Sequence, residues 1–262
     1  GKRVSVLPLN KRQNSVFHTK KTAKISTCSI LACTALVVLI TAVIIPSIKK
    51  LSFISKYGKE FYDTYYPLEK GSFIKFGKYE QNNDTSDGPE DIEWQILNIR
   101  DDKILVISRY ALDCVPYNTK YTPVTWETCS LRTWLNTTFF ETAFSENQKI
   151  RIVCSDVHAS DNPTFNTDPT NESNDKVFLL SATEAVRYLP SSNEKMCIPT
   201  AYAIANSVFV RGNNNCPWWL RSTNSSITYV NENGNVSYFG HSAYDHNTAV
   251  RPVMWIELIE LS

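Results

Sequence analysis

The chain has 262 residues, with 27 Lys and Arg against 26 Asp and Glu and a formal net charge of +1. That is a length for one or two domains. The balance hides a split: residues 1–50 carry nine Lys or Arg and no Asp or Glu, so the rest holds 18 basic against 26 acidic residues, a net of −8. An acidic main body excludes nucleic acid as a partner, because phosphate binding needs a basic face.

Residues 1–24 form a polar, basic head. Residues 25–48 contain no charged side chain and include "ILACTALVVLITAVII". As a helix this run would measure about 36 Å, against a hydrocarbon core of about 30 Å. The run ends in "PSIKK", a poor cleavage site, so a retained transmembrane helix is expected rather than a signal peptide. Seven basic residues precede it. By the positive-inside rule the head is then cytoplasmic, and the C-terminal domain lies outside the cell membrane. Residues 49–70 are expected to be a juxtamembrane stalk, and 71–262 the extracellular domain.

Within that domain "FIKFGKY" (Phe73–Tyr79) alternates as a strand does. "IEWQILNI" and "KILVISRY", joined by "RDD", predict a hairpin. In "LRTWLNTTFFETAF", Leu131, Trp134, Leu135 and Phe139 fall on one helical stripe. Ser145–Gln148 and Ser181–Glu184 have capping-box spacing, with Leu180, Ala185 and Leu189 facing inward after the second. Residues 154–175 read as a long polar loop. "VFVRG" and "PWWLRS" read as strands. "ITYVNENGNVSYF" predicts a hairpin with Asn233-Gly234 in a type I′ turn. "AVRPVMWIELIEL" closes the chain as a strand, with Pro252 at an edge or at the strand start. Strands flanking central helices predict an α+β class.

The segments "IEWQIL", "ILVISRYALD", Tyr117–Asn118, "TWETCSLRTWLN", "AFSENQKIRI", "VFLLSATEA", "WWLRS" and "VRPVMWI" occur in this order between residues 70 and 258. Together they resemble a bacterial surface-domain family of unknown function, related to the C-type-lectin-like and formylglycine-generating-enzyme-like superfamily. The resemblance implies a C-type-lectin-like α+β fold and carries no defined activity.

Trp94, Trp126, Arg132, Trp134, Trp219, Arg221, Arg251 and Trp255 fall in these segments. They are expected to brace the core and loops, the arginines by planar hydrogen bonding. Trp218 and Trp219 point to opposite faces of a strand, so Trp219 is expected inside and Trp218 at the surface. From Asn213 to Thr248, 22 of 36 residues are Asn, Ser, Thr, Tyr, Asp or His, with no Lys. This chemistry suits adaptable recognition. Its expected contact residues are Trp218, Tyr229, Asn231, Tyr238, Tyr244, Asp245 and His246.

No Gly-x-Ser-x-Gly, His-Glu-x-x-His or phosphate-cradling glycine loop occurs. No CxxC or Cys/His spacing suggests zinc. His158, His241 and His246 form no helical metal pair. Calcium has two candidate segments, "DNPTFNTD" (161–168) and "NESND" (171–175), neither with a ligand rhythm, so no cofactor is expected. Five cysteines (Cys114, Cys129, Cys154, Cys197, Cys216) lie in the outer part and leave at least one unpaired. The expectation is a non-catalytic surface protein that binds carbohydrate, peptide or another surface protein. Its alternatives are an oxidase of the formylglycine-generating type, which requires Cys197 and Cys216 to meet in an open cleft, and a structural subunit of an envelope complex.

Overall fold

The computed structural model describes residues 34, 36–45, 47–48, 51–52, 68–158, 172–223 and 226–258. Two compact units divide the chain at Ser52/Phe53. In the first, the described residues are helical and solvent-facing, with a π-helical turn at Ile40–Ile44. The span expected over 25–48 is corrected here, and with it the membrane as a partner. Residues 25–33, 35 and 46 lie outside the described residues, and no helix among the described ones is long and apolar enough to cross a membrane. The head (1–24) and most of the stalk (53–67) also lie outside them.

The second unit is sheet-rich. Strand β1 (Phe73–Tyr79) pairs with β2 (Glu90–Arg100), and β2 with β3 (Lys103–Ser108), all antiparallel. The β2–β3 turn puts Asp101 at φ 54°, a left-handed position that Asp tolerates better than most residues. The five-stranded sheet, a half-barrel, has the order β1-β2-β3-β10-β4, with β4 at Ile152–Val153 and β10 at Val253–Glu257. The last strand is thus interior, flanked by β3 and β4. Pro252 sits just before it, where a missing N–H costs no ladder bond. The near-continuous apolar run of β3 fits its place between two neighbours.

Helix α1 (Ser130–Trp134) runs through a π-helical turn (Leu135–Phe139) into α2 (Phe140–Ala143). Leu131, Leu135 and Phe139 are buried, whereas Trp134 is only half-buried. The wider π turn shifts the angular phase of the helix and turns the indole aside. Ser145–Gln148 caps α3 (Glu146–Lys149), and Ser181–Glu184 caps α4 (Ala182–Tyr188). Two short helices follow, α5 (Ser192–Lys195) and α6 (Ala201–Ala205). β5 (Ser155–Val157) and β6 (Ser173–Asp175) pair across the 154–175 loop, whose residues 159–171 lie outside the described ones.

β7 (Trp218–Thr223), β8 (Ile227–Val230) and β9 (Val236–His241) make a second antiparallel sheet. "VFVRG" forms no strand: Ser207 takes φ 82°, and Phe209 N–H bonds Asn247 O instead of a ladder. The β8–β9 hairpin differs from the expected type I′ turn. Only Gly234 has positive φ (+76°), Gly234 N–H bonds Asn231 O, and Asn231 N–H bonds Asn235 O. This is a three-residue loop with a glycine bulge. Gly234 is required here for a second reason: a Cβ would sit 1.9 Å from Ser192 O, where the hairpin tip meets α5.

The implied lectin-like domain behind a transmembrane helix is therefore not the architecture found. The described residues of the second unit form sheets of five, two and three strands joined by short helices.

Candidate functional site

The tryptophans and arginines explain the rigidity of the second unit. Trp94 and Trp126 are fully buried, with indole N–H groups on Phe76 O (2.7 Å) and Asp175 Oδ2 (2.9 Å). Asp175 also accepts from Arg132 Nε (2.6 Å) and Ser173 Oγ, so one buried carboxylate joins α1 to β6. Trp219 is buried and donates to Val115 O (3.1 Å). Arg221 donates to His158 O, Leu179 O and Glu184. Arg251 donates from Nε to Ser108 O and lies over the Trp218 ring at 5.2 Å. Trp255 is half-buried beneath Arg100.

The expectation that Trp218 reaches the surface is corrected. Both adjacent indoles are fully buried, and Trp218 N–H is spent on Lys195 O (2.9 Å). Strand parity does separate them. Arg251 covers Trp218, Tyr117 packs edge-on against Trp219 at 5.7 Å, and the strand is covered on both sides.

The remaining expected contact residues gather at β8–β9 and the loop after it, in different roles. Asn231 Oδ1 accepts from Asn233 N and Asn235 N, so this side chain shapes the turn. Tyr229 stacks on His241 with centroids 3.6 Å apart, and His241 meets Trp219 edge-on. Asp245 Oδ1 accepts from Asn247 N and from Thr248 Oγ1 (2.9 Å). Thr248 has one proton and gives it to Asp245, so it accepts at 3.0 Å from His241, whose Nδ1 carries the proton. Burial pushes His241 below its usual pKa, opposed by the Asp245 and Glu232 charges. Tyr238 is half-buried; Tyr244 is exposed and lies edge-on to the exposed His246 at 4.6 Å.

These contacts fix one wall of a cleft of about 470 Å³. Ser242, Ala243 and Tyr244 line that wall, and Ser226, Ile227, Tyr121, Thr122, Pro123 and Val124 line the rest of the cleft. Tyr121 is 85% exposed and Tyr244 44%. None of the described lining residues is charged. A positive φ at Gly240 (+68°), with Ile227 O 2.5 Å from where a Cβ would be, lets β9 bend over β8 toward the cleft.

Asn118 links the 242–244 wall to the segment leading into residues 121–124. Its backbone N–H bonds Ala243 O (2.7 Å), and its side chain donates to Lys120 O (2.9 Å) and accepts from Ser130 N (3.2 Å). Behind it Trp126, Tyr117, Trp219, His241 and Tyr229 touch ring to ring. Residues 121–124, Ser226 and Ser242 were not expected in a site, because "KYTPV" has no periodicity and no catalytic spacing to mark it.

Of the two calcium segments, residues 161–168 lie outside the described residues, and in 171–175 Asp175 is already engaged. No group of three His, Cys, Asp or Glu converges among the described residues. Cys197 and Cys216 are neighbours but both are buried, so the open thiol cleft required by an oxidase is missing.

The model of one protein family, described as a domain of unknown function (DUF6273), matches residues 101–258. No curated protein and no solved structure matches the chain, so the lectin-like resemblance has no solved counterpart.

Proposed function

We propose that this chain, which belongs to the DUF6273 family, is a non-catalytic binding protein whose cleft takes a neutral saccharide. One observation carries the reading: two exposed tyrosines, Tyr121 and Tyr244, line one cleft together with Thr122, Ser226 and Ser242, and none of its described lining residues is charged. A tyrosine ring offers rigid apolar area with a polar tip. That combination suits a ligand with apolar C–H faces and many hydroxyls. A charged ligand would be desolvated here without a partner. The volume is in the range of small-ligand sites.

The cleft walls are fixed by Asn118 and by the His241–Thr248–Asp245 chain before any ligand arrives. Preorganisation of this kind reduces the entropy lost on binding. The test is a panel of neutral and charged oligosaccharides and uncharged peptides, presented to the full chain. Retention of neutral sugars alone is the expected result. Retention of charged glycans or peptides only, or of nothing, overturns the reading.

A further inference from the structure

Away from the cleft, two cysteines lie against one another in the core. Cys216 N–H bonds Cys197 O at 2.9 Å, and Cys216 Sγ lies 3.5 Å from the same oxygen. A main-chain hydrogen bond, together with a hydrogen bond between the two side chains, brings the residues within reach of a bridge. A disulfide needs Cα atoms about 5.5–6 Å apart, a separation a single main-chain hydrogen bond permits. Both residues are fully buried and both thiols are free.

A third group makes the pair unusual. The Arg251 guanidinium is buried, its charge acts on both thiols, and its Nη1 has no hydrogen-bond partner among the described residues. A buried cation without a full set of acceptors is costly. Burial pushes the Cys197 thiol up, but a hydrogen bond from Cys216 and the Arg251 charge outweigh it and bring it down to about 7. The Cys216 thiol moves up, chiefly through its bond to Cys197. The two side chains thus share a hydrogen bond and differ in acidity, Cys197 being the more acidic, the arrangement in which one sulfur attacks and the other resolves.

We propose that Cys197 and Cys216 form a redox-labile disulfide that staples the segment after α5 to the start of β7. The bond closes while the chain folds, before Trp218 and Arg251 seal over it, with a small disulfide such as oxidised glutathione as oxidant. Cys197 gives its proton to solvent and its sulfur attacks one glutathione sulfur, the glutathione S–S bond breaks, and one glutathione thiolate leaves and takes up a proton. Cys216, losing its proton, attacks Cys197 Sγ and expels the second glutathione. The two cysteines lose two electrons and two protons; glutathione disulfide gains them as two thiols. In the reduced protein Arg251 stabilises the thiolate, which makes the bond easier to reopen.

The sequence supplies a clean assay, because trypsin cuts after Lys195, Arg211 and Arg221 and isolates each cysteine in its own peptide. The full chain is refolded at a series of oxidised-to-reduced glutathione ratios, alkylated and digested. The expected product is the linked pair 196–211 and 212–221, appearing as the ratio rises. A reductant should also lower the thermal midpoint of the oxidised protein by about 5–10 °C, the scale for a short closed loop in a domain of this size. Complete alkylation of both cysteines at every ratio, or linkage to Cys114 or Cys154 instead, contradicts the proposal. So does an oxidised protein whose midpoint does not move on reduction. Neither readout involves a saccharide, so this test is separate from that of the cleft.

Discussion

Arg221 and Glu184 face each other across the second unit as a two-pronged ion pair, Nη2 lying 2.9 Å from Oε1 and Nη1 bonding Oε2. The arginine side chain is almost completely buried. The same carboxylate caps α4 through Ser181, and the same guanidinium holds the carbonyls of Leu179 and His158. One pair thus fixes β7, α4 and the residue that follows β5 together.

Arg221→Ala should lower unfolding stability by about 3–5 kcal/mol, because Glu184 is left without its counter-charge. Arg221→Lys should recover little, since an ammonium cannot make the planar fork. Urea unfolding followed by tryptophan fluorescence reads both. A double variant, Arg221→Met with Glu184→Gln, should be less destabilised than the sum of its singles.

Asn118→Ala removes the bonds to Lys120 O and Ser130 N but leaves the backbone bond to Ala243. The expected cost is about 1–3 kcal/mol. Hydrogen exchange should quicken in residues 119–124 more than in β8. Uniform exchange changes across the unit would contradict the wall-fixing role.

Gly240→Ala places a methyl group at positive φ against Ile227 O. A loss of at least about 1 kcal/mol is expected. The amides of residues 227–241 should lose protection first. A variant as stable as the parent would show that the β9 bend is not needed.

Stability should fall with acid, and the sign follows from two groups. Burial depresses His241, so its contribution is complete above its unfolded pKa of about 6.5 and is lost as pH falls through the lower folded value. Burial raises Glu184, but the Arg221 charge and hydrogen bonds outweigh it, so it too is lowered and its contribution is lost at still lower pH. Thermal midpoints measured from pH 8 to pH 4 should decline below about pH 6.5. His241→Asn should flatten the upper part of that decline. A midpoint rising between pH 7 and pH 5 would contradict both assignments.

Much of the local structure was legible because its signals are local. Alternation marks Phe73–Tyr79, and the Ser181–Glu184 spacing marks a helix start. The Asn-Gly pair correctly marks a hairpin, but the turn type depends on the close approach to Ser192, which no local pattern encodes. The apolar run at 25–48 has the composition of a membrane span. Composition does not settle how much of such a run is helix, and among the described residues no helix is long and apolar enough to cross a membrane. Trp218 was misread because parity assigns faces, not what covers them. The cleft was half visible: Tyr244 belongs to it, but the rest of its lining is placed by a bond from Asn118 to Ala243, a contact distant in sequence.

The central claim is that Tyr121 and Tyr244 both pack against a neutral saccharide in the cleft, and titration calorimetry on the two alanine variants tests it most directly. With the best neutral sugar of the panel, Tyr121→Ala and Tyr244→Ala should each weaken binding about tenfold, roughly 1.4 kcal/mol, while Phe73→Ala, an exposed aromatic on the other sheet, leaves the affinity unchanged. Equal affinity in all three variants and the parent would contradict it.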